Sequence, residues 1–133
     1  MGPFGASIAL ALVIILDQLP LNLFRQQARS FATESQARDV AQQAIDNGFD
    51  AELSDKQKAF LYLPFMHSEN MSDQDRAVEL FEKAGLQDNL KYAKHHRSIV
   101  KRFGRFPHRN KILDRDSTAD EVSYLNSKEA FLG

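Results

Sequence analysis

The 133-residue sequence predicts a single all-α domain of about six helices arranged as antiparallel helical hairpins. Apolar residues recur at helical spacing in several windows, and no window alternates apolar and polar residues as a half-buried strand would. Several windows open with Ser or Thr followed three residues later by Glu or Gln, the capping-box signature of a helix start. The connections are short, so consecutive helices should be antiparallel neighbours.

Composition restricts the class of protein. The chain has 17 basic and 18 acidic residues, and its apolar and charged fractions are those of a soluble globular domain. The near-neutral charge argues against a general nucleic-acid binder, so we expect no nucleic-acid partner. The absence of cysteine excludes disulfides, a thiolate nucleophile and Cys-based zinc sites. We expect a cytoplasmic protein, which a cysteine-free chain fits.

The first predicted helix runs from Ser7 to Gln18 and is apolar all round between Ile8 and Leu16. This apolar run is too short to span a bilayer and lacks the cationic start of a signal peptide, so we interpret it as a core helix without a membrane role. Pro20 should end it. A helix that is apolar on every side needs partners on every side. We therefore expect either a homo-oligomer through this helix or an exposed apolar groove.

The second and third helices carry clear start signals. Thr33 followed by Gln36 predicts a capping box for the second helix, and Ser54 followed by Gln57 predicts one for the third. Pro64 lies inside the apolar third helix, where it removes a backbone hydrogen bond and predicts a kink or an end.

The remaining helices follow at short intervals. The fourth opens at Ser72 and ends at Gly85, and the fifth spans Asp88 to Phe103 before Gly104. Thr118 and Glu121 predict a further capping box for a short sixth helix. The tail that follows should fray, with Phe131 and Leu132 as a latch onto the domain.

A basic segment follows the fifth helix. Residues 95–115 contain seven Lys or Arg residues and a single acid, Asp114. One interpretation is a site for an anion, a phosphate or RNA, with Phe103 and Phe106 available for stacking. The other is that the arginines pair with the protein's own acidic helices or are simply solvated. The sequence leaves both open.

Candidate acid–base groups are His67, Glu69 and His108. The alternative for the first two is a polar cap that satisfies backbone groups. No third ligand has diagnostic spacing, so we predict neither a metal nor a cofactor, and no nucleophile is persuasive. His96 lies on the apolar stripe of the fifth helix and should be a core histidine, whereas its neighbour His95 should be exposed.

Three motifs carry a resemblance to a known family. The first contains Leu16-Asp17-Gln18, Pro20, Asn22, Phe24-Arg25 and Phe31-Ala32-Thr33; the second runs from Leu61 to Glu69 with Asp73-Gln74; the third contains His96-Arg97 and Arg102 to Asn110, with Thr118 to Glu121 beyond it. These residues resemble the bacterial domain of unknown function 924, over about residues 10–130. The resemblance implies a tetratricopeptide-like all-α fold and brings no settled activity.

The chain differs from that family pattern in two respects. Leu19 and Leu21 stand where the family usually shows an aromatic residue and an arginine. The resemblance also implies a tryptophan-containing helical segment upstream, so we expect residues 1–133 to form a single helical domain without this segment.

The motifs predict one site if the first, third and fifth helices pack together. The polar residues expected to line a shared pocket are Asp17, Arg25, His67, Glu69, Arg105, His108 and Arg109. A buried Asp17 would need an arginine partner, either Arg105 or Arg109. The leading hypothesis is a tetratricopeptide-like binding module for an anionic small molecule or an acidic peptide end. The alternative is a small-molecule hydrolase with His67 or His108 as acid–base, Glu69 as orienting group and an arginine anion clamp. Whether the protein is an enzyme stays open.

Overall fold

A computed structural model describes residues 5–25, 27–31 and 33–133. Over these residues the fold is all-α, as predicted, with six helices and no strand. The helices are α1 (Gly5–Leu23), α2 (Glu34–Asp46), α3 (Asp55–Met66), α4 (Met71–Ala84), α5 (Gln87–Phe103) and α6 (Ala119–Leu125). Short 3-10 turns lie in three of the connections: Ala28–Phe31 between α1 and α2, Phe49–Glu52 between α2 and α3, and Pro107–Arg109 between α5 and α6.

Pro20 does not end the first helix, contrary to the sequence-based expectation. A π-helical turn, Ile14–Gln18, precedes the proline, and the Leu19 amide donates to the Ile14 carbonyl five residues back. This wider turn shifts the hydrogen-bond register before Pro20, whose ring would clash with the carbonyl four residues earlier in a regular α-helix. The helix therefore continues to Leu23.

Two of the three predicted capping boxes are confirmed, at Ser54 with Gln57 and at Thr118 with Glu121. The third is wrong, because the Thr33 side chain makes no cap hydrogen bond. Its hydroxyl instead donates to the carbonyl of Leu16, an oxygen that Pro20, having no amide hydrogen, cannot bond.

The later helices agree with the sequence-based expectations at some ends and differ from them at others. Pro64 lies inside α3, which ends two residues beyond it at Met66, with His67 as C-cap. Asn70, rather than Ser72, caps α4 by accepting from the Ser72 and Asp73 amides. The predicted C-terminal glycines are confirmed: Gly85 and Gly104 both have positive φ, a conformation that costs glycine little.

The core lies between α1 and the helical pairs that follow it. Val13 of α1, Leu61 of α3 and Phe81 of α4 are fully buried within one large apolar cluster. A smaller cluster joins α5 to α6 through Val100, Phe106 and Tyr124, with Phe131 packed against it. The polar motifs lie at the end of α1, at the end of α3 and in the segment after α5. The packing of the two clusters brings these three parts of the chain together.

By length and composition alone, α1 could cross a membrane, because it has 19 residues and a mean hydropathy of 1.8 over its most apolar window. The uninterrupted helix is longer than the apolar run recognised in the sequence, since Pro20 does not stop it. Core helices and signal sequences share these properties, and one side of this helix packs against α2 and α3.

Candidate functional site

A cleft of about 310 Å³ opens where α1, the end of α3, the Pro107–Arg109 turn and the C-terminal segment meet. This volume is at the lower end of the range typical for small-molecule sites. The side chains that matter chemically in its lining are Arg25, Phe31, His67, His96, His108 and Arg109. Of the described residues that line it, none is Ser, Thr, Cys or Lys, so the wall offers no obvious nucleophile.

A buried aspartate orients the histidine at the base of this cleft. Asp17, in the π-helical turn of α1, is fully buried, and its Oδ1 lies 3.0 Å from Nδ1 of His67. The second carboxylate oxygen accepts from Nε2 of Gln18 at 2.7 Å. Because a carboxylate can only accept here, Nδ1 carries the proton and Nε2 is the nitrogen left for a molecule in the cleft. An imidazole held in one tautomer by a carboxylate is the arrangement that general bases use in hydrolases.

A buried ion pair lies beside the hydrogen bond between Asp17 and His67. Arg109 donates to both carboxylate oxygens of Glu34, at 3.1 and 3.3 Å, and to the backbone carbonyl of His67 at 2.7 Å. The guanidinium also lies over the ring of Phe31, 4.1 Å from its centroid. Burial raises the pKa of Glu34 against the opposing effect of Arg109. Arg109 therefore neutralises an internal carboxylate and fixes the His67 backbone, which reduces its capacity to clamp an external anion.

The other two histidines of the cleft are neutral groups. Burial lowers the pKa of His96 to about 4, and Nδ1 of its ring bonds the Tyr92 carbonyl at 2.8 Å. Burial and the nearby Arg109 lower the pKa of His108 to about 4. The rings of both pack against Phe131, with centroids at 4.5 and 4.8 Å. These contacts give the cleft an aromatic wall, and the Phe131 part of the predicted latch is present.

Among the described residues that line the cleft, Arg25 is the exposed cation. It lies just beyond the end of α1, and its guanidinium makes a long contact of 3.4 Å with the side-chain oxygen of Asn22. A solvated guanidinium with so weak an internal partner is available to an anionic group on a ligand.

The structure places Glu69 and Arg105 outside the lining of the cleft, which corrects the sequence-based expectation at both positions. Glu69 accepts from the Phe106 amide at 2.7 Å and from both terminal nitrogens of Arg115. Burial acts to raise the pKa of Glu69, but these hydrogen bonds hold that pKa below its ordinary value. Glu69 therefore satisfies a backbone amide, which is the alternative to an acid–base role that the sequence left open.

Arg105 binds the start of α6 instead of a ligand. It donates from two nitrogens to Glu121, at 2.7 and 2.9 Å, and to the Asp116 carbonyl. This pairing lowers the pKa of Glu121 to about 2. The predicted pairing of Asp17 with Arg105 or Arg109 is therefore wrong, since Asp17 pairs with His67 and each arginine binds a different carboxylate.

Of the seven predicted site residues, Arg25, His67, His108 and Arg109 line the cleft, and Asp17 lies behind His67. Glu34 belongs to the same group of charges but was not predicted. Its only sequence signal is an acid directly after Thr33, which looks like a first-turn residue favoured by the helix dipole. Phe31 belongs to the first motif, but nothing in the sequence indicates that its ring packs against the Arg109 guanidinium.

One group of described side chains has the composition of a metal site. Ligand atoms of Asp17, Glu34 and His67 all lie within 4.8 Å of one another. A carboxylate and imidazole set of this kind suits a divalent transition metal. However, the Arg109 guanidinium already occupies both oxygens of Glu34, so a cation would have to displace a fixed positive charge.

The basic segment after α5 is largely compensated internally. Arg97 pairs with Asp75, Arg105 with Glu121, Arg109 with Glu34 and Arg115 with Glu69. This arrangement matches the interpretation in which the arginines bind the protein's own acids. The stacking groups proposed for RNA are also engaged, since Phe106 is buried and Phe103 packs with Arg102 and Tyr124.

Comparison with known proteins agrees with this fold. The model of the family described as "Bacterial protein of unknown function (DUF924)" matches residues 5–129. Among solved structures, a protein of unknown function from Agrobacterium tumefaciens is similar, with 46% sequence identity and a TM-score of 0.87. The match covers 93% of this chain and 70% of that one. No curated protein matches. The chain therefore belongs to the DUF924 family of bacterial proteins of unknown function.

Proposed function

We propose that the protein is a small-molecule hydrolase in which His67 activates a water molecule and Asp17 orients His67. The observation that supports this most strongly is the 3.0 Å contact between the fully buried Asp17 carboxylate and Nδ1 of His67. His108 is the weaker candidate base, because among described residues its buried Nδ1 has no hydrogen-bond partner to orient the ring.

The chemistry requires no side-chain nucleophile. Nε2 of His67 takes a proton from a water held in the cleft, and the resulting hydroxide attacks a carbonyl carbon of the substrate. The leaving group then receives that proton back from His67 as its bond breaks, so the histidine ends in its starting state. Arg25 binds an anionic group on the substrate, and the rings of Phe31 and Phe131 contact its apolar body.

Hydrolysis of two matched esters tests the proposal. We would compare p-nitrophenyl acetate with the p-nitrophenyl monoester of succinate, which adds a carboxylate. We expect saturable hydrolysis of both esters, with a lower KM for the anionic one. His67→Gln should lower kcat by a factor on the order of 10²–10⁴. Arg25→Gln should raise KM for the anionic ester only.

The exposed His95→Gln serves as the matched control and should change neither constant. Failure of wild type to hydrolyse either ester saturably, or an unchanged kcat in His67→Gln, would overturn the hydrolase proposal.

A binding module without catalysis is the second candidate, and the exposed guanidinium of Arg25 at the cleft favours it. In this version the helical pairs form a tetratricopeptide-like scaffold, and the cleft takes an anionic small molecule or the carboxylate end of an acidic peptide. A thermal-shift panel of phosphate, citrate, an acidic dipeptide, short RNA, and divalent metals with a chelator would separate the ligand classes. A ligand at 100-fold its dissociation constant should stabilise the fold by about 2.7 kcal/mol. A shift that Arg25→Ala removes, without turnover of any ester, would favour this candidate.

A further inference from the structure

The chain segment that follows α6 lies along the cleft. Residues 126–133 form turns and irregular backbone, and the last three of them line the cleft. We call residues 128–133 the strap. Ala130 and Phe131 pack against the smaller apolar cluster, whereas Leu132 is 69% exposed. The strap therefore rests on the domain through a short apolar stretch, with Phe131 as its large side chain.

Phe131 lies against three other rings of the cleft. Its ring centroid is 4.5 Å from that of His96, 4.8 Å from that of His108 and 6.2 Å from that of Phe106. The ring planes are inclined to one another by 58, 81 and 64°, close to the edge-to-face arrangement that aromatic pairs prefer. Both imidazoles are neutral at pH 7, because burial lowers the pKa of each to about 4. These three rings thus form a site that fits a neutral phenyl group, and we call them the aromatic subsite.

Few other contacts fix the strap. Among the described residues, one hydrogen bond joins residues 128–133 to the rest of the domain, from the Phe131 amide to the Tyr124 hydroxyl at 2.8 Å. The Gly133 backbone lies against the His108 ring, since a Cβ placed on it would come within 3.1 Å of that ring. A segment with so few hydrogen bonds and buried contacts opens more easily than the helices that it covers.

We propose that the aromatic subsite binds an aromatic ring of the ligand, and that Phe131 fills the subsite in the absence of a ligand. The strap is then an internal competitor, whose ring the ligand replaces as it enters. This inference rests on the proposed function in that it takes the cleft as the ligand site. Arg25 lines the same cleft and supplies a cation. The ligand class is therefore a carboxylate, or another anion, that carries an aromatic ring.

Binding of two matched acids to the full chain tests the proposal without any turnover. The probes are 3-phenylpropionate and 3-cyclohexylpropionate, which have the same charge and differ in the ring, and titration calorimetry measures their affinities. Wild type should bind the phenyl acid about two- to tenfold more tightly than the cyclohexyl acid. Phe131→Ala should bind the phenyl acid about tenfold more tightly than wild type does, if the strap is open for about a tenth of the time. Leu132→Ala, at the exposed neighbouring residue, is the matched control and should leave the affinity unchanged.

A second variant and a spectrum test the movement of the strap, whether or not Phe131→Ala folds. Tyr124→Phe keeps the ring in the apolar cluster but removes the hydroxyl that accepts from the Phe131 amide, so it should also tighten binding of the phenyl acid. In ¹H–¹⁵N spectra of wild type, 3-phenylpropionate should shift the Phe131 amide signal to the position of an unstructured residue, because release of the ring breaks this hydrogen bond.

Three results would overturn the proposal. The first is an affinity for 3-phenylpropionate that is the same in wild type, Phe131→Ala and Tyr124→Phe, or no binding by any of them. The second is binding that leaves the Phe131 amide signal in place. The third is equal or tighter binding of 3-cyclohexylpropionate by wild type. Since none of these measurements requires hydrolysis, the result for the strap stands apart from the result for the hydrolase proposal.

Discussion

Asp17 and His67 lie 50 positions apart in the chain, yet the aspartate carboxylate and the histidine ring are joined by a 3.0 Å hydrogen bond inside the protein. Asp17 lies in the π-helical turn inside α1, and His67 is the C-cap of α3, just after Pro64. π-Helical turns are frequent at functional sites. The pair gives the cleft a histidine with a defined tautomer.

Arg109 should be far more important for stability than an exposed arginine. Arg109→Ala leaves Glu34 buried without its partner, and breaking a buried pair in this way costs about 3–5 kcal/mol. Arg97→Ala, which removes the exposed pair with Asp75, should cost at most about 1 kcal/mol. Urea unfolding of both variants measures the two losses. Equal losses in the free energy of unfolding would show that the buried pair of Arg109 with Glu34 stabilises the fold no more than an exposed pair does.

The two neutral histidines should make the fold sensitive to acid. The pKa of His96 and of His108 is about 4 in the folded protein, against 6.5 for an ordinary histidine. Above pH 6.5 the histidines are neutral in both states, and their contribution to stability is fully present. As pH falls from 6.5 towards 4, the unfolded chain binds protons that the folded protein does not, so stability decreases, by at most about 3 kcal/mol per histidine. The raised pKa of Glu34 opposes this trend in part.

His96→Phe should flatten this pH dependence, because phenylalanine keeps the packing against Phe131 but cannot take up a proton. The adjacent and exposed His95 provides the control, and His95→Phe should leave the slope unchanged. The measurement is the free energy of unfolding of wild type and both variants at several pH values between 4 and 7, from which the three slopes are compared. A slope that is the same in His96→Phe and wild type would contradict the assignment.

Thr33 should stabilise the fold through Leu16 rather than as a helix cap. Thr33→Val keeps the shape but removes the donor to the Leu16 carbonyl, which should cost about 1–2 kcal/mol. Pro20→Ala restores an amide that can reach the same carbonyl, so Thr33→Val should cost less in that background. Thermal unfolding of the four proteins in this cycle gives the coupling. Equal costs in both backgrounds would mean that the two residues act independently.

Helix positions were predictable because their signals are local. Ser54 with Gln57, Thr118 with Glu121, and the glycines at positions 85 and 104 each specify a helix end within a few residues of sequence. Thr33 carried the same local signal, but a carbonyl from α1 competed for its hydroxyl. This carbonyl lacks its helical donor because Pro20 has no amide hydrogen, and the π-helical turn before Pro20 has no recognisable sequence signature.

The site was predictable only in part, because a sequence does not show which carboxylate each of several nearby arginines will pair with. Arg105, Arg109 and Arg115 lie within one segment, and packing alone decides which carboxylate each can reach. The motifs correctly brought Asp17, His67 and Arg109 together. They could not show that Arg109 binds Glu34 and that the partner of Asp17 is therefore a histidine.

The tautomer of His67 decides whether Nε2 of its ring can act as the base. Long-range ¹H–¹⁵N correlation spectra at a pH where the ring is neutral distinguish the protonated nitrogen from the bare one, with His67→Gln used to assign the signals. We predict a proton on Nδ1, held by Asp17, and a bare Nε2 in the cleft, with the exposed His95 as the reference. A proton on Nε2 of His67 would contradict the account, because that nitrogen could not then act as the base.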